Sequence, residues 1–171
     1  KIKKLPALKR EKIRKELCAS NSGHLWATKH SSVVEIDREG ILPATFSAMV
    51  DAVSALADLL AQQYNMQLSM VLIDGNLLPP LDVPCKAVVR GDSRSLSIAA
   101  ASVLAKEARD EVMRGLATTY PDYGWQTNAG YGTKRHQDAL QQFGVTPHHR
   151  KSFAPIKNRM KINTTKALYR R

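Results

Sequence analysis

Val71-Leu72-Ile73-Asp74-Gly75-Asn76 and Ala87-Val88-Val89-Arg90-Gly91-Asp92-Ser93 carry the architecture of this chain. Each opens on a brief, continuous apolar run rich in β-branched residues and closes on turn residues, the pattern of a buried strand. Each run leads into an aspartate, and the two acids, Asp74 and Asp92, stand 18 positions apart. Side chains at the carboxyl ends of neighbouring strands can converge, and hard divalent cations bind through one or two carboxylates together with substrate phosphates. Two turn-forming acids without a metal are the competing reading of the same residues.

Composition adds a partner to this pattern. A chain of 171 residues with net charge +11 and 43% hydrophobic residues suits one packed domain with a polyanionic partner and is too apolar to be disordered. The charge is segregated: residues 1–16 hold eight Lys/Arg against two Glu, and residues 150–171 hold eight Lys/Arg and no acid. Such blocks are ordinarily solvated tails, yet an acid pair of metal type inside a basic chain points toward nucleic acid. Cys18 and Cys85 lack zinc-finger spacing, which suggests a reduced compartment. With no apolar run expected to reach membrane-span length and no signal-like segment behind Lys1, the expectation is a cytoplasmic protein with no membrane partner.

The remaining periodicities predict a helix from Pro6 to Ala19, with Leu8, Ile13 and Leu17 near one face, and a strand from His24 to Val34. A long helix is expected from Pro43, its core stripe being Phe46, Met49, Val50, Val53, Ala57 and Leu60. Strands at Met66–Ile73 and Cys85–Val89 follow, then helices over Ser95–Thr119 and Thr133–Phe143, an order that implies α/β layers. On the helix after Asp92, Ser102, Lys106 and Arg109 fall at i, i+4 and i+7, opposite an apolar side of Ile98, Ala101, Leu104, Ala105, Ala108 and Val112. A basic face beside the acid pair can hold a phosphodiester backbone; the alternative is a solvated face with a Lys106–Asp110 pair. His24, His30 and His136 show no ligand spacing and receive no role.

These motifs stand in a specific order. Val34-Glu35-Ile36-Asp37, Ile41-Leu42-Pro43-Ala44-Thr45, Ile73-Asp74-Gly75-Asn76, Gly91-Asp92-Ser93, Ser102-Val103-Leu104-Ala105-Lys106, Tyr120-Pro121-Asp122-Tyr123-Gly124, Gly130-Tyr131-Gly132-Thr133 and His148-His149-Arg150-Lys151-Ser152-Phe153-Ala154-Pro155 together resemble ribonuclease HII over about residues 3–157. The resemblance implies an α/β, ribonuclease H-like fold with a central mixed sheet flanked by helices. It also implies a metal-dependent endonuclease that cuts the RNA strand of RNA/DNA hybrids, and single ribonucleotides in duplex DNA, leaving 3′-hydroxyl and 5′-phosphate ends. In such enzymes four carboxylates hold two Mg²⁺ or Mn²⁺ ions; by motif, Asp74 and Asp92 are the third and fourth. Tyr131 matches the tyrosine that stacks near the ribonucleotide and helps read its 2′-hydroxyl. Ser93, Lys106, Arg109 and Arg150 are expected to contact or orient phosphate, with His149 either joining them or anchoring the carboxyl-terminal segment.

The chain also departs from this pattern. Ribonucleases HII open with a strand ending in Asp-Glu-Val-Gly-Arg-Gly, source of the first two metal carboxylates and of a segment that senses the 2′-hydroxyl; no such run is present, and only Lys3-Lys4-Leu5 match the motif that follows it. The expectation is therefore an amino-terminally incomplete catalytic domain at 1–157, without its first strands, followed by a basic tail at 158–171. Such a chain should cleave weakly or not at all, and the intact enzyme should be a monomer. Glu35 and Asp37 are poor substitute ligands, Asp37 reading better as a helix cap. A non-catalytic nucleic-acid binder using the basic ends is the alternative, and it predicts salt-sensitive binding without metal-dependent cleavage.

Overall fold

Only ten residues, 75–84, separate the two strands of the sheet, β1 (Val71–Asp74) and β2 (Cys85–Val88), yet the strands run parallel. The connection makes its crossover without a helix, turning through Pro79-Pro80 and returning at Pro84, whose carbonyl accepts the Val71 N–H at 2.9 Å. Register pairs Val71 with Cys85 and Asp74 with Val88, so both strands end at the same edge. The computed structural model describes residues 5–158; the basic tail beyond 158 and the residues before Leu5 lie outside it.

The described residues also form six helices, α1 (Ala7–Leu17), α2 (Val33–Glu39), α3 (Ile41–Tyr64), α4 (Leu96–Thr119), which packs against β1, α5 (Trp125–Asn128) and α6 (Lys134–Gln142), and residues 154–158 form a further helical turn. Local chemistry sets their starts. Ser32 and Glu35 form a reciprocal capping box at α2, while Ser95 and Thr133 accept the N3 amides of α4 and α6. The α/β class holds, with the sheet among the described residues reduced to the parallel pair.

Several expectations require correction: the strand expected from Met66 begins only at Val71, residues 66–70 having no regular structure. Residues 24–32 have no regular structure, and Val33 and Val34 begin α2 instead of ending a strand. Alternating polarity makes a strand only where a neighbour supplies ladder hydrogen bonds, and none among the described residues does so there. Asp37 caps nothing; Ser32 is the N-cap of α2. And α3 is, by length and composition alone, apolar enough to cross a membrane, contrary to the expectation that no run reaches that length. It is nevertheless two-faced: Ser47, Asp51, Ser54 and Asp58 form an exposed stripe, while Phe46, Met49, Val50, Val53, Ala57 and Leu60 are half-buried.

The tightest packing lies in the carboxyl-terminal half. Ala117, Tyr123, Trp125, Ala139, Leu140 and Ile156 form one buried cluster, with Met113, Leu116, Tyr120 and Val145 against it. The buried line of α4 is Ile98, Val103, Leu104, Glu107 and Ala117; Ala101, Ala105 and Val112, expected on the apolar side, are exposed. The shift has a cause in α1, which buries none of its own side chains and meets α4 through charged groups. Leu8, expected on an apolar face, is exposed.

Candidate active site

Asp74, at the end of β1, and Asp92, in the turn after β2, are linked through the backbone. Asp74 Oδ1 accepts the Gly91 N–H at 2.7 Å, and the Gly75 N–H donates to the Val88 carbonyl at 3.1 Å, which pins the end of β1 to the segment that carries Asp92. Arg90 turns the chain in the left-handed region, φ 57°, into the short 3-10 turn Gly91–Ser93, from which Ser95 starts α4. Ser93 Oγ donates to the Arg90 carbonyl at 2.9 Å and steadies that turn. Asp74 is exposed and Asp92 half-buried, and among the described residues Asp92 has neither a hydrogen bond nor an ion pair.

Glycine at 91 is required by space. A Cβ there would stand 2.5 Å from Ile98 Cδ1 and 3.2 Å from Asp74 Oδ1; Ile98 is buried and has little room to retreat, and Asp74 could yield only by loosening its bond to the Gly91 amide. Gly91→Ala is expected to cost about 1–3 kcal/mol, the usual range for overpacking, and to lengthen the Asp74 tether. Urea unfolding checks this; a midpoint equal to that of the wild type would show the contact to be slack.

The donor set is all carboxylate oxygen, the class that Mg²⁺ and Mn²⁺ prefer. Two acids match the one or two that a protein commonly gives a single Mg²⁺, but among the described residues no group of three His, Cys, Asp or Glu side chains comes together. Glu35 and Asp37 do not extend the pair: Glu35 is spent on the α2 capping box, and Asp37 accepts from the Lys151 N–H, the Ser152 N–H and Ser152 Oγ at 2.8, 2.9 and 2.6 Å. The Ser152 hydroxyl first, then its amide and that of Lys151, hold the Asp37 carboxyl below its ordinary pKa. This clamp joins positions 114 and 115 apart in sequence, so no local pattern could announce it.

The cations expected at phosphate are engaged with protein. Lys106 pairs with Asp110, Arg109 donates to the Ala129 carbonyl at 3.1 Å, and the Arg150 guanidinium lies 5.0 Å from the centre of the Phe153 ring. Arg109 thereby ties α4 to the loop that presents Tyr131, whose side chain is 63% exposed. Ser102 Oγ bonds back to the Ile98 carbonyl at 2.8 Å. His149 anchors: it is buried, 6% exposed, against Tyr123, Trp125 and His136, away from solvent phosphate. His136, given no role from sequence, is its partner at 3.0 Å between Nε2 atoms.

A parallel strand pair with one acid at its carboxyl end, a second in the turn that follows and a long helix starting just beyond is consistent with the ribonuclease H-like α/β class. A family model described as ribonuclease HII matches residues 2–156, and the chain belongs to the ribonuclease HII family. It is similar to "Ribonuclease HII" of Ruegeria sp. (strain TM1040), 52% identical over 155 residues, 90% of this chain and 63% of that protein. The "Ribonuclease HII" of Paracoccus denitrificans (strain Pd 1222) is 49% identical over 90% of this chain and 69% of its own length. That of Rhodospirillum rubrum is 50% identical over 91% and 67%. The chain thus spans about two thirds of the length of these relatives, and slightly less of the first.

Proposed function

We propose that this chain belongs to the catalytic domain of a metal-dependent endoribonuclease acting on RNA/DNA hybrids and on single ribonucleotides in duplex DNA, giving 3′-hydroxyl and 5′-phosphate ends. The observation that carries the reading is the Asp74–Gly91 tether, which fixes one acid to the amide of the residue next to the other; the Asp92 side chain has no hydrogen bond or ion pair among the described residues. Both acids reach solvent, Asp74 exposed at the end of β1 and Asp92 half-buried in the turn before α4, so their oxygens are accessible to a cation.

Asp74 and Asp92 would hold Mg²⁺ or Mn²⁺. Ions of this kind, in pairs, activate the attacking water and stabilise the leaving oxygen of an in-line displacement. The chain's own contribution is placement: Asp74 is oriented by the Gly91 amide, Asp92 by the 3-10 turn that Ser93 steadies, and Tyr131 offers an exposed ring for stacking. Arg109 supports the Tyr131 loop, while Lys106 and Arg150 could add phosphate contacts by exchanging their present partners. With two acids in place, weak cleavage by this chain alone is the expectation.

The test is binding and cleavage of a DNA duplex carrying one ribonucleotide, for this chain beside Asp92→Asn. Mn²⁺ should tighten wild-type binding roughly tenfold, about 1.4 kcal/mol, and leave the variant unmoved. Cutting 5′ to the ribonucleotide, lost in the variant, would show that two carboxylates suffice. Binding that weakens with salt but ignores the metal in both proteins would favour the non-catalytic binder.

A further inference from the structure

The loop that carries Tyr131 is clamped at its backbone and free at its ring. Arg109 Nη2 donates to the Ala129 carbonyl at 3.1 Å, His136 Nδ1 lies 3.0 Å from the Tyr131 carbonyl, and Gln137 Nε2 donates to the Gly132 carbonyl at 2.9 Å. The Tyr131 N–H donates to the Asn128 carbonyl at 2.8 Å, and the Thr133 N–H donates to the Tyr131 carbonyl at 2.8 Å. The Tyr131 hydroxyl has no protein partner among the described residues.

The protonation of the clamp follows from its neighbours. The Thr146 N–H, which can only donate, points at His149 Nδ1 at 3.0 Å, so that nitrogen must be the acceptor. A neutral His149 then carries its proton on Nε2 and donates it to His136 Nε2, 3.0 Å away. That nitrogen also faces the Trp125 Nε1–H at 3.4 Å, a second donor requiring the same lone pair side of the ring. His136 is left with its proton on Nδ1, where a carbonyl waits. Every hydrogen in the chain from Thr146 to Tyr131 thus points one way, and donors polarised in series strengthen one another in a dry site.

We propose that His136 and His149 are positioning residues: a pair of neutral imidazoles, each held in one tautomer, that fixes the Tyr131 carbonyl and so sets the Gly130-Tyr131-Gly132 loop for presenting its ring to a ribonucleotide. The recognition half rests on the function proposed above; the tautomers and the clamp do not. Neither imidazole has a carboxylate partner among the described residues, and Tyr123 and Trp125 enclose both rings.

Long-range proton–nitrogen correlation on the whole wild-type chain, near pH 6.5 where an ordinary imidazole is about half protonated, reads the tautomers without any variant. Nδ1–H at His136 and Nε2–H at His149 are expected; an imidazolium or the reverse tautomer at either would overturn the pair. Two substitutions then separate positioning from packing. His136→Asn keeps a donor where Nδ1 stands; His136→Gln keeps a polar atom toward His149 but loses that donor. Hydrogen exchange of the Tyr131 and Thr133 amides should quicken about tenfold in the glutamine variant, the worth of one net hydrogen bond, and stay near wild type in the asparagine variant. Equal acceleration in both, or in neither, would overturn the clamp. Preference for a ribonucleotide-bearing duplex over an all-DNA duplex should fall in the glutamine variant only. A wild type that binds the two duplexes alike would overturn the recognition role of Tyr131, while the exchange contrast would still decide the positioning.

Discussion

Arg10→Ala is expected to destabilise the chain by about 3–5 kcal/mol, the range found when one partner of a buried ion pair is removed. Arg10 Nε meets Glu107 Oε1 at 2.7 Å, its Nη2 meets Asp110 Oδ2 at 3.2 Å, and its Nη1 donates to the Leu5 carbonyl at 2.8 Å. The Glu107 side chain is 5% exposed, so the substitution would strand a carboxylate that water cannot reach. The rest of α1 offers little compensation, since it buries no side chain of its own and Leu8 points to solvent. Arg14, which meets Glu111 at 3.1 Å with both side chains substantially exposed, is the control; its loss should cost about 0–1 kcal/mol, as exposed pairs do. Urea midpoints of the two alanine variants decide the matter, and equal losses would mean that Glu107 finds water when Arg10 leaves. Asp110 is less vulnerable, because Lys106 holds its other oxygen.

That network also shows where sequence reading reaches and where it stops. The Ile73-Asp74 and Ala87-Val88 runs announced two strands because a buried strand needs a short β-branched run, and the turn residues after each showed where it ends. The long helices were legible for the same kind of reason: α4 opens at Ser95 and closes before Tyr120, within a residue of its expected bounds. The error along α4 was one of facing. Ala101, Ala105 and Val112 were grouped by hydropathy, but the buried line runs through Glu107 because Arg10, 97 positions away, supplies the missing charge. Hydropathy cannot foresee a buried acid whose partner is on another helix.

The candidate site divides in the same way. Asp74 and Asp92 were readable as a pair because each follows an apolar run; Asp74 does end β1, whereas Asp92 lies in the turn after β2 and is brought close by the Asp74–Gly91 hydrogen bond as well as by the parallel pairing. Gly91 offered no cue beyond its turn position; its necessity comes from Ile98 and Asp74 packing where a Cβ would stand. The Asp37 clamp and the His136–His149 pair are the parts that sequence could not supply. Asp37 is engaged by Lys151 and Ser152, and the cap expected of it belongs to Ser32, whose spacing to Glu35 is the visible Ser-x-x-Glu signature. His136 shows no ligand spacing to another histidine because its partner is carried on a different segment, 13 positions on, and is met through the aromatic core.

Acid should weaken the fold through His149 by about 3 kcal/mol in total, the free energy of moving one imidazole pKa from about 6.5 down to about 4. Burial is the larger cause of that depression, and the neighbouring His136 the next. The groups around it are His136 from α6, the Tyr123 ring, and His148 one residue before it, with no carboxylate paired to it among the described residues. Because the unfolded chain binds this proton more readily than the folded one, the contribution is complete above about pH 6.5, declines by roughly 1.4 kcal/mol per unit below that, and levels off below about pH 4. The carboxylates with depressed pKa values, Glu11, Glu35 and Asp37, lose their own contributions only as pH falls below the ordinary carboxylate range. The interval from about pH 6.5 to 5 therefore isolates the imidazole. Urea midpoints measured across it should slope in the wild type and flatten in His149→Asn, whose side-chain oxygen can still accept the Thr146 amide while carrying no titrating group. A slope that persists in the variant would place the acid sensitivity on another histidine and would show that water reaches His149 despite the rings of Tyr123 and Trp125.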